Sequence, residues 1–142
     1  MAGIKAYLKG SAFIQQLGIR LRWMDDDSVT GEFTLPAFTE GPPGHIHGGV
    51  LASVLDEAMG AAAHMSGHRV VAVHLEFDYK LAVAIGAPVK LSAHVSSKHG
   101  RKIYTRAELR FADETIAVTG NGLFVEAPQF FTNEAFHVED HP

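Results

Sequence analysis

The chain has 142 residues, is 46% hydrophobic and 20% charged, carries a formal net charge of −4 and contains no cysteine. This length supports one domain over 1–142 with a sizeable core, and the composition is that of an ordinary globular protein. The charge argues against a nucleic-acid partner, and the missing cysteine excludes a disulfide scaffold, a cysteine nucleophile and thiolate metal sites.

The lack of cysteine also fits a reducing, cytoplasmic setting. Residues 1–10 hold no continuous apolar h-region, and no run of about 18 apolar residues occurs. Neither a signal peptide nor a membrane partner is therefore expected. Ile4, Tyr7, Leu8, Phe13, Ile14 and Leu17 recur at helical spacing, which predicts a helix over 4–17, weakened at Gly10. Ile19–Trp23 alternates, 25–28 reads as a turn, and 29–35 alternates again, so two strands follow. Residues 36–46 hold Pro36, Gly41, Pro42, Pro43 and Gly44 and read as an irregular loop. Residues 48–65 predict a helix that is apolar nearly all round and therefore buried.

The second half predicts four strands. Within 69–83 the odd positions from Val71 onward are apolar and the even ones include His74, Glu76, Asp78 and Lys80, a one-sided strand with period two. Residues 89–95 and 103–111 repeat the pattern around a turn at His99-Gly100. The last strand, 115–125, contains Gly120 and Gly122, which mark a bulge or a close approach. A tail from about 127 carries Phe130, Phe131 and Phe136 and reads as a partly ordered terminus. Sequential antiparallel strands with one apolar face wrapped around a single helix make an α+β architecture.

The chemistry concentrates in His47-Gly48-Gly49 and Asp56. The amides at a helix N-terminus are unpaired and carry the positive end of the dipole. Glycines there let a ligand approach the backbone, and such a donor suits a carbonyl that becomes an oxyanion. Asp56 sits among Ala52, Ser53, Met59, Gly60 and Ala63, four of them small, so something comes close on that side. A partly desolvated carboxylate has a raised pKa and can serve as general base or nucleophile. Gly48 and Asp56 are eight residues apart, about 12 Å along a helix and about 80° around it. One small carbonyl cannot touch both within a chain. An active site across a two-fold dimer interface is the consequence.

These residues resemble the hotdog-fold acyl-CoA thioesterases, of the phenylacetate-pathway-like and THEM4-like kind. The resemblance covers roughly 20–126 and is carried by 41–49 running into Leu55-Asp56-Glu57-Ala58, by 75–80 and by 99–104. It implies a curved antiparallel sheet around one long central helix, and dimers assembling into homotetramers. It also implies hydrolysis of an acyl-CoA substrate without metal or bound cofactor. Asp56 would be nucleophile or general base, the Gly48 amide, with Gly49, would polarise the carbonyl, and His47 would shape the site. Asp78, Tyr79, Lys80, Arg101 and Lys102 would contact coenzyme A, which suits the phosphate affinity of Lys and Arg. Two positions depart from the pattern. Glu40 and Gly41 stand where many relatives have an asparagine, and Ala72 stands where many have Ser or Thr. That hydroxyl helps orient water; His74, placed on the same strand face, is a candidate substitute, although an outward-facing histidine is the plainer expectation.

Other chemistries fit less well. His45 and His47 lack a third ligand at recognisable spacing for a metal. No G-x-S-x-G elbow exists. Glu57 points about 100° from Asp56 and is expected to pair with a cation or face solvent. A hotdog dehydratase or hydratase, and a non-catalytic acyl-CoA-binding protein, remain the alternative readings.

Overall fold

The computed structural model describes residues 2–131 and 138–139. Its first elements correct the helix expected over 4–17. Strand β1 spans Ile4–Leu8 and a short helix, α1, spans Ala12–Gln16. Gly10 at φ +73° turns the chain between them, and the Ser11 side chain caps α1 by accepting from the Ile14 N–H. The apparent helical spacing is an alternating strand and a short helix read end to end. Pairing of β1 with β2 (Leu21–Met24) outweighs local propensity.

The chain then runs through β3 (Val29–Phe33), the long helix α2 (Gly48–Met65), β4 (Val70–Tyr79), β5 (Val89–His99), β6 (Lys102–Phe111), β7 (Ile116–Glu126) and a short β8 (Val138–Glu139). All pair antiparallel in one sheet of order β4-β7-β6-β5-β3-β2-β1-β8. Helix α2 packs against every strand from β2 to β7, so the sheet curves around it. It buries Leu51, Val54, Leu55, Ala58 and Met59 as the centre of the core. Close approach on β7 needs the two internal glycines. A Cβ on Gly120 would sit 3.1 Å from the Phe77 ring, and one on Gly122 would sit 2.8 Å from Phe124 and Thr105.

Helix α2 is not buried all round. Gly49 is exposed, and Ser53, Asp56 and Gly60 are half-buried, a line of residues three and four apart that the chain leaves uncovered.

Strand β4 ends at Tyr79, short of the expected Val83. The N–H groups of Lys80 and Leu81 both donate to Ala117 O, and the chain then turns under the loop before α2, where the Ile46 N–H donates to Val83 O at 2.9 Å. One residue is also extra. Ala72 faces Phe124 and His74 faces Leu123, so Val73 is a bulge and the strict alternation from 69 to 83 is broken there. Strand β4 is a sheet edge and exposes Val73, Tyr79 and, just beyond it, Leu81, at 55%, 51% and 45%. No helix among the described residues is long and apolar enough to cross a membrane. In the tail, Phe130 is exposed and the Phe131 ring lies 6.1 Å from that of buried His64. Phe136 lies outside the described residues.

Candidate active site

The loop before α2 is built to deliver His47. The His47 N–H donates to the buried Thr39 carbonyl at 2.8 Å, and Glu40 Oε2 accepts from the Gly44 N–H at 2.8 Å. Gly41 lies so close that a Cβ there would sit 2.7 Å from His47 Cα. His47 is the N-cap of α2: its Nδ1 accepts from the Gly49 N–H at 2.8 Å, which places the ring proton on Nε2. The neighbouring His45 ring is engaged elsewhere, its Nδ1 2.9 Å from Pro43 O.

This cap separates the two glycine amides. The Gly49 N–H is taken by His47, whereas the Gly48 N–H meets no acceptor among the described residues. Gly48 also has no packing reason to lack a side chain, since a Cβ there would meet only the Tyr79 ring at an ordinary 3.7 Å. A Cβ on Gly49, by contrast, would press on the His47 ring at 3.0 Å. Gly48 opens into a cleft of about 310 Å³, lined mainly by apolar groups from Pro42, Ile46, Leu51, Leu81 and Val83 together with Tyr79 and Lys80. The Tyr79 hydroxyl donates to Gly48 O at 2.7 Å.

Asp56 lies further along the same helix, half-buried, with no hydrogen bond or ion pair among the described residues. Burial, and then repulsion from Glu57, push its carboxyl above the ordinary aspartate range. A desolvated, unpartnered carboxylate on the uncovered line of a helix has no structural use visible in the chain. Among the described residues Glu57 pairs with no cation, and it is half-buried rather than turned out to solvent. It accepts from the Ser11 N–H at 3.1 Å and from the Ser11 hydroxyl at 2.9 Å, which ties α1 to α2. Ser53 donates its hydroxyl to Gly49 O at 2.8 Å.

The expected coenzyme A contacts fall into two groups. Asp78, Tyr79 and Lys80 stand at the Gly48 end of β4. Arg101 and Lys102 stand at the other end: Lys102 faces Val125 on β7, and Val125 faces Val71 on β4. Val71 is eight residues from Tyr79, about 26 Å along a strand. One chain therefore does not bring the two groups together. Arg101 donates to Glu126 O at 2.7 Å, and the Glu126 carboxylate is held below its ordinary range by the His68 ring at 2.8 Å and by the charge of Lys98. His74 lies 3.0 Å from Glu76 Oε1 with an exposed side chain, and the bulge puts it out of phase with Ala72. Sequence reasoning missed the cleft residues Ile46, Leu51 and Val83 and the Tyr79–Gly48 bond. These depend on where β4 stops, which no local periodicity marks.

One long helix wrapped by an antiparallel sheet, with a free amide at its first turn and a lone carboxylate two turns on, defines a hotdog-fold protein. The chain belongs to the thioesterase superfamily, whose family model matches residues 43–118. It is 33% identical over 138 residues to the acyl-coenzyme A thioesterase THEM4 of Xenopus laevis, covering 84% of this chain and 62% of that protein. Among solved structures it is similar to a thioesterase superfamily protein at 37% identity and TM-score 0.73, covering 76% of this chain and 53% of that one. It shares its fold with the Escherichia coli PaaI protein of the phenylacetic acid degradation operon, at 21% identity, TM-score 0.76, and 82% and 85% coverage. The chain thus spans less than two thirds of the THEM4 relative.

Proposed function

We propose that this chain hydrolyses acyl-CoA thioesters to the free acid and coenzyme A, at a site formed by two copies. The observation that carries the reading is that α2 holds an amide donor and a carboxylate which nothing else in the described chain uses. The Gly48 N–H receives the thioester oxygen as it gains charge, a contribution of about 10²–10³ in rate for one donor. Asp56 takes the proton of an attacking water, or attacks the carbonyl carbon itself. With water as the nucleophile, the carbon–oxygen bond forms, the carbon–sulfur bond breaks, and the sulfur leaves as the coenzyme A thiol carrying the proton that Asp56 took. With Asp56 as the nucleophile, the sulfur leaves as the thiolate, and water then cleaves the acyl–aspartyl anhydride, releasing the acid, restoring the carboxylate and supplying the thiol proton. Since the Gly49 N–H is committed to His47, the donor role falls to Gly48, with His47 and Gly49 as its support.

The carboxylate comes from the partner. About 12 Å and about 80° of helix separate it from Gly48 in its own chain. A two-fold through the exposed edge of β4 reverses the partner's helix and brings the partner's Asp56 toward the first chain's Gly48. The same operation moves the partner's Arg101 and Lys102 past the Tyr79 end of β4. There, with Asp78 and Lys80, they lie within reach of the phosphates at the far end of a pantetheine arm. Support also comes from the similarity to a protein named an acyl-coenzyme A thioesterase.

The test follows free thiol release from a panel of acyl-CoAs by wild type and Asp56→Asn. Wild type is expected to turn over at least one chain length and Asp56→Asn to lose 10²-fold or more, as an order of magnitude for a lost base. One observation favours a second reading, a non-catalytic acyl-CoA carrier: Ala72 has no hydroxyl and His74 is occupied by Glu76. Coenzyme A binding with no thiol release from any acyl chain would establish the carrier and sink the hydrolase.

A further inference from the structure

Two successive glycines are the loosest start a helix can have, because glycine has the most backbone freedom to lose. The Gly48–Gly49 peptide is nevertheless held on both sides. Its carbonyl accepts the Tyr79 hydroxyl at 2.7 Å, and its N–H donates to His47 Nδ1 at 2.8 Å. The Tyr79 ring lies flat enough against Gly48 for Cε1, Cζ and Oη all to stand 3.7 Å from where a Cβ would be. The preceding peptide is fixed by the helix, since the His47 carbonyl accepts from the N–H groups of Val50 and Leu51 at 3.0 and 3.2 Å. A trans peptide points its N–H opposite its carbonyl, so the Gly48 N–H faces away from the helix body and off its N-terminal end.

We propose that Tyr79 is a positioning residue for the oxyanion donor: its phenol, with the His47 ring, clamps the Gly48–Gly49 peptide so that the Gly48 N–H is held in the direction of the thioester oxygen. The inference rests on the hydrolase reading and deepens it. It moves Tyr79 from a surface contact for coenzyme A to the machinery of the carbonyl. The placement has a cause in the fold. Strand β4 ends at Tyr79, where Lys80 and Leu81 turn toward Ala117, and that turn leaves the last side chain of the strand beside the first residue of α2. Burial raises the phenol's pKa, so Tyr79 stays a protonated donor across the neutral range. An electrostatic donor aids catalysis only when it is already in place as charge develops, and a displacement of about 1 Å costs as much as 10²-fold.

The experiment compares the full chain with Tyr79→Phe, which deletes one oxygen, and with 3-fluorotyrosine incorporated at 79, which keeps the donor. Kinetics are read on the best substrate of the panel. Tyr79→Phe is expected to lower kcat about tenfold or more with KM changed less than about twofold, and the fluorinated chain to recover most of kcat. A raised KM at unchanged kcat would assign Tyr79 to coenzyme A binding and overturn the proposal. So would a kcat loss that the fluorinated chain does not recover, or no change at all. A second readout needs no activity: with carbonyl-13C glycine, Tyr79→Phe is expected to shift the Gly48 carbonyl resonance. An unmoved resonance overturns the clamp even where wild type hydrolyses nothing, and a wild type without thioesterase activity fails the hydrolase reading separately.

Discussion

Asp56 weakens the chain that carries it. Burial and the Glu57 charge raise its folded pKa above the ordinary aspartate value, so between the two values the folded state binds more protons than the unfolded state. Stability therefore falls as pH rises through that window and stays lowered at neutral pH, where both states are ionised. Asp56→Asn, which has no charge to desolvate, is expected to raise the Tm at neutral pH. The gain should vanish in solutions acid enough to protonate aspartate in both states. The same raised pKa governs catalysis with the opposite sense. A base works only when ionised, so kcat/KM is expected to fall on its acid limb at a pH above the ordinary carboxylate range. Thermal unfolding across pH and a pH–rate profile check the pair. An Asn variant no more stable than wild type would show the carboxylate to be satisfied by a group outside the described contacts.

At the scale of elements, the long helix was the most legible part. A diglycine start and a run that is apolar nearly all round place α2 at 48–65, and the structure has it there. Strands β5 and β6 were legible from a clean period of two on either side of a turn, and the less regular β7 from its position after them, its two glycines marking a close approach. The N-terminus was not, because residues 4–17 carry both periods at once and only pairing with β2 decides between them. The site divides in the same way. Gly48 and Asp56 were readable because a free amide and an isolated carboxylate are local facts of one helix. The partners of Glu57 and Tyr79 were not, since Ser11 is 46 residues from Glu57 and Gly48 is 31 from Tyr79. Glu57 also couples two elements. Its carboxylate holds both the N–H and the hydroxyl of Ser11, the residue that caps α1. Glu57→Gln keeps the shape but removes the charge from these bonds and leaves one amide group facing donors. It is expected to lower stability by about 1–2 kcal/mol. It should also relieve Asp56 of a repulsion, so the acid limb of the rate profile should move to lower pH. An acid limb that stays in place would show that the Glu57 charge does not reach Asp56.

At the scale of the whole molecule, the proposed site needs a second chain. Strand β4 offers a ten-residue edge with exposed Val73 and Tyr79, the kind of edge that proteins normally pair or blunt. Antiparallel pairing of β4 with a second β4 about Phe77 would set Leu75 opposite the partner's Tyr79, covering that exposed ring. That centre lies about two residues, or about 6 Å, from the Tyr79 end, half of the about 12 Å between Gly48 and Asp56. It therefore brings the amide of one chain level with the carboxylate of the other. The prediction is decisive in mixtures. Gly48 is the first residue of α2, and His47 before it has φ −59° and ψ 132°, a conformation that a following proline accepts. Gly48→Pro thus deletes the one N–H proposed to bind the oxyanion while suiting the helix start. Alone it should be inactive, as should Asp56→Asn. Unfolded and refolded together in equal amounts, the two give mixed dimers in which one site combines a sound Gly48 with the partner's sound Asp56, and the other combines both lesions. With random pairing, about a quarter of wild-type activity should return. A site contained within one chain would return none, because every chain in the mixture carries a lesion.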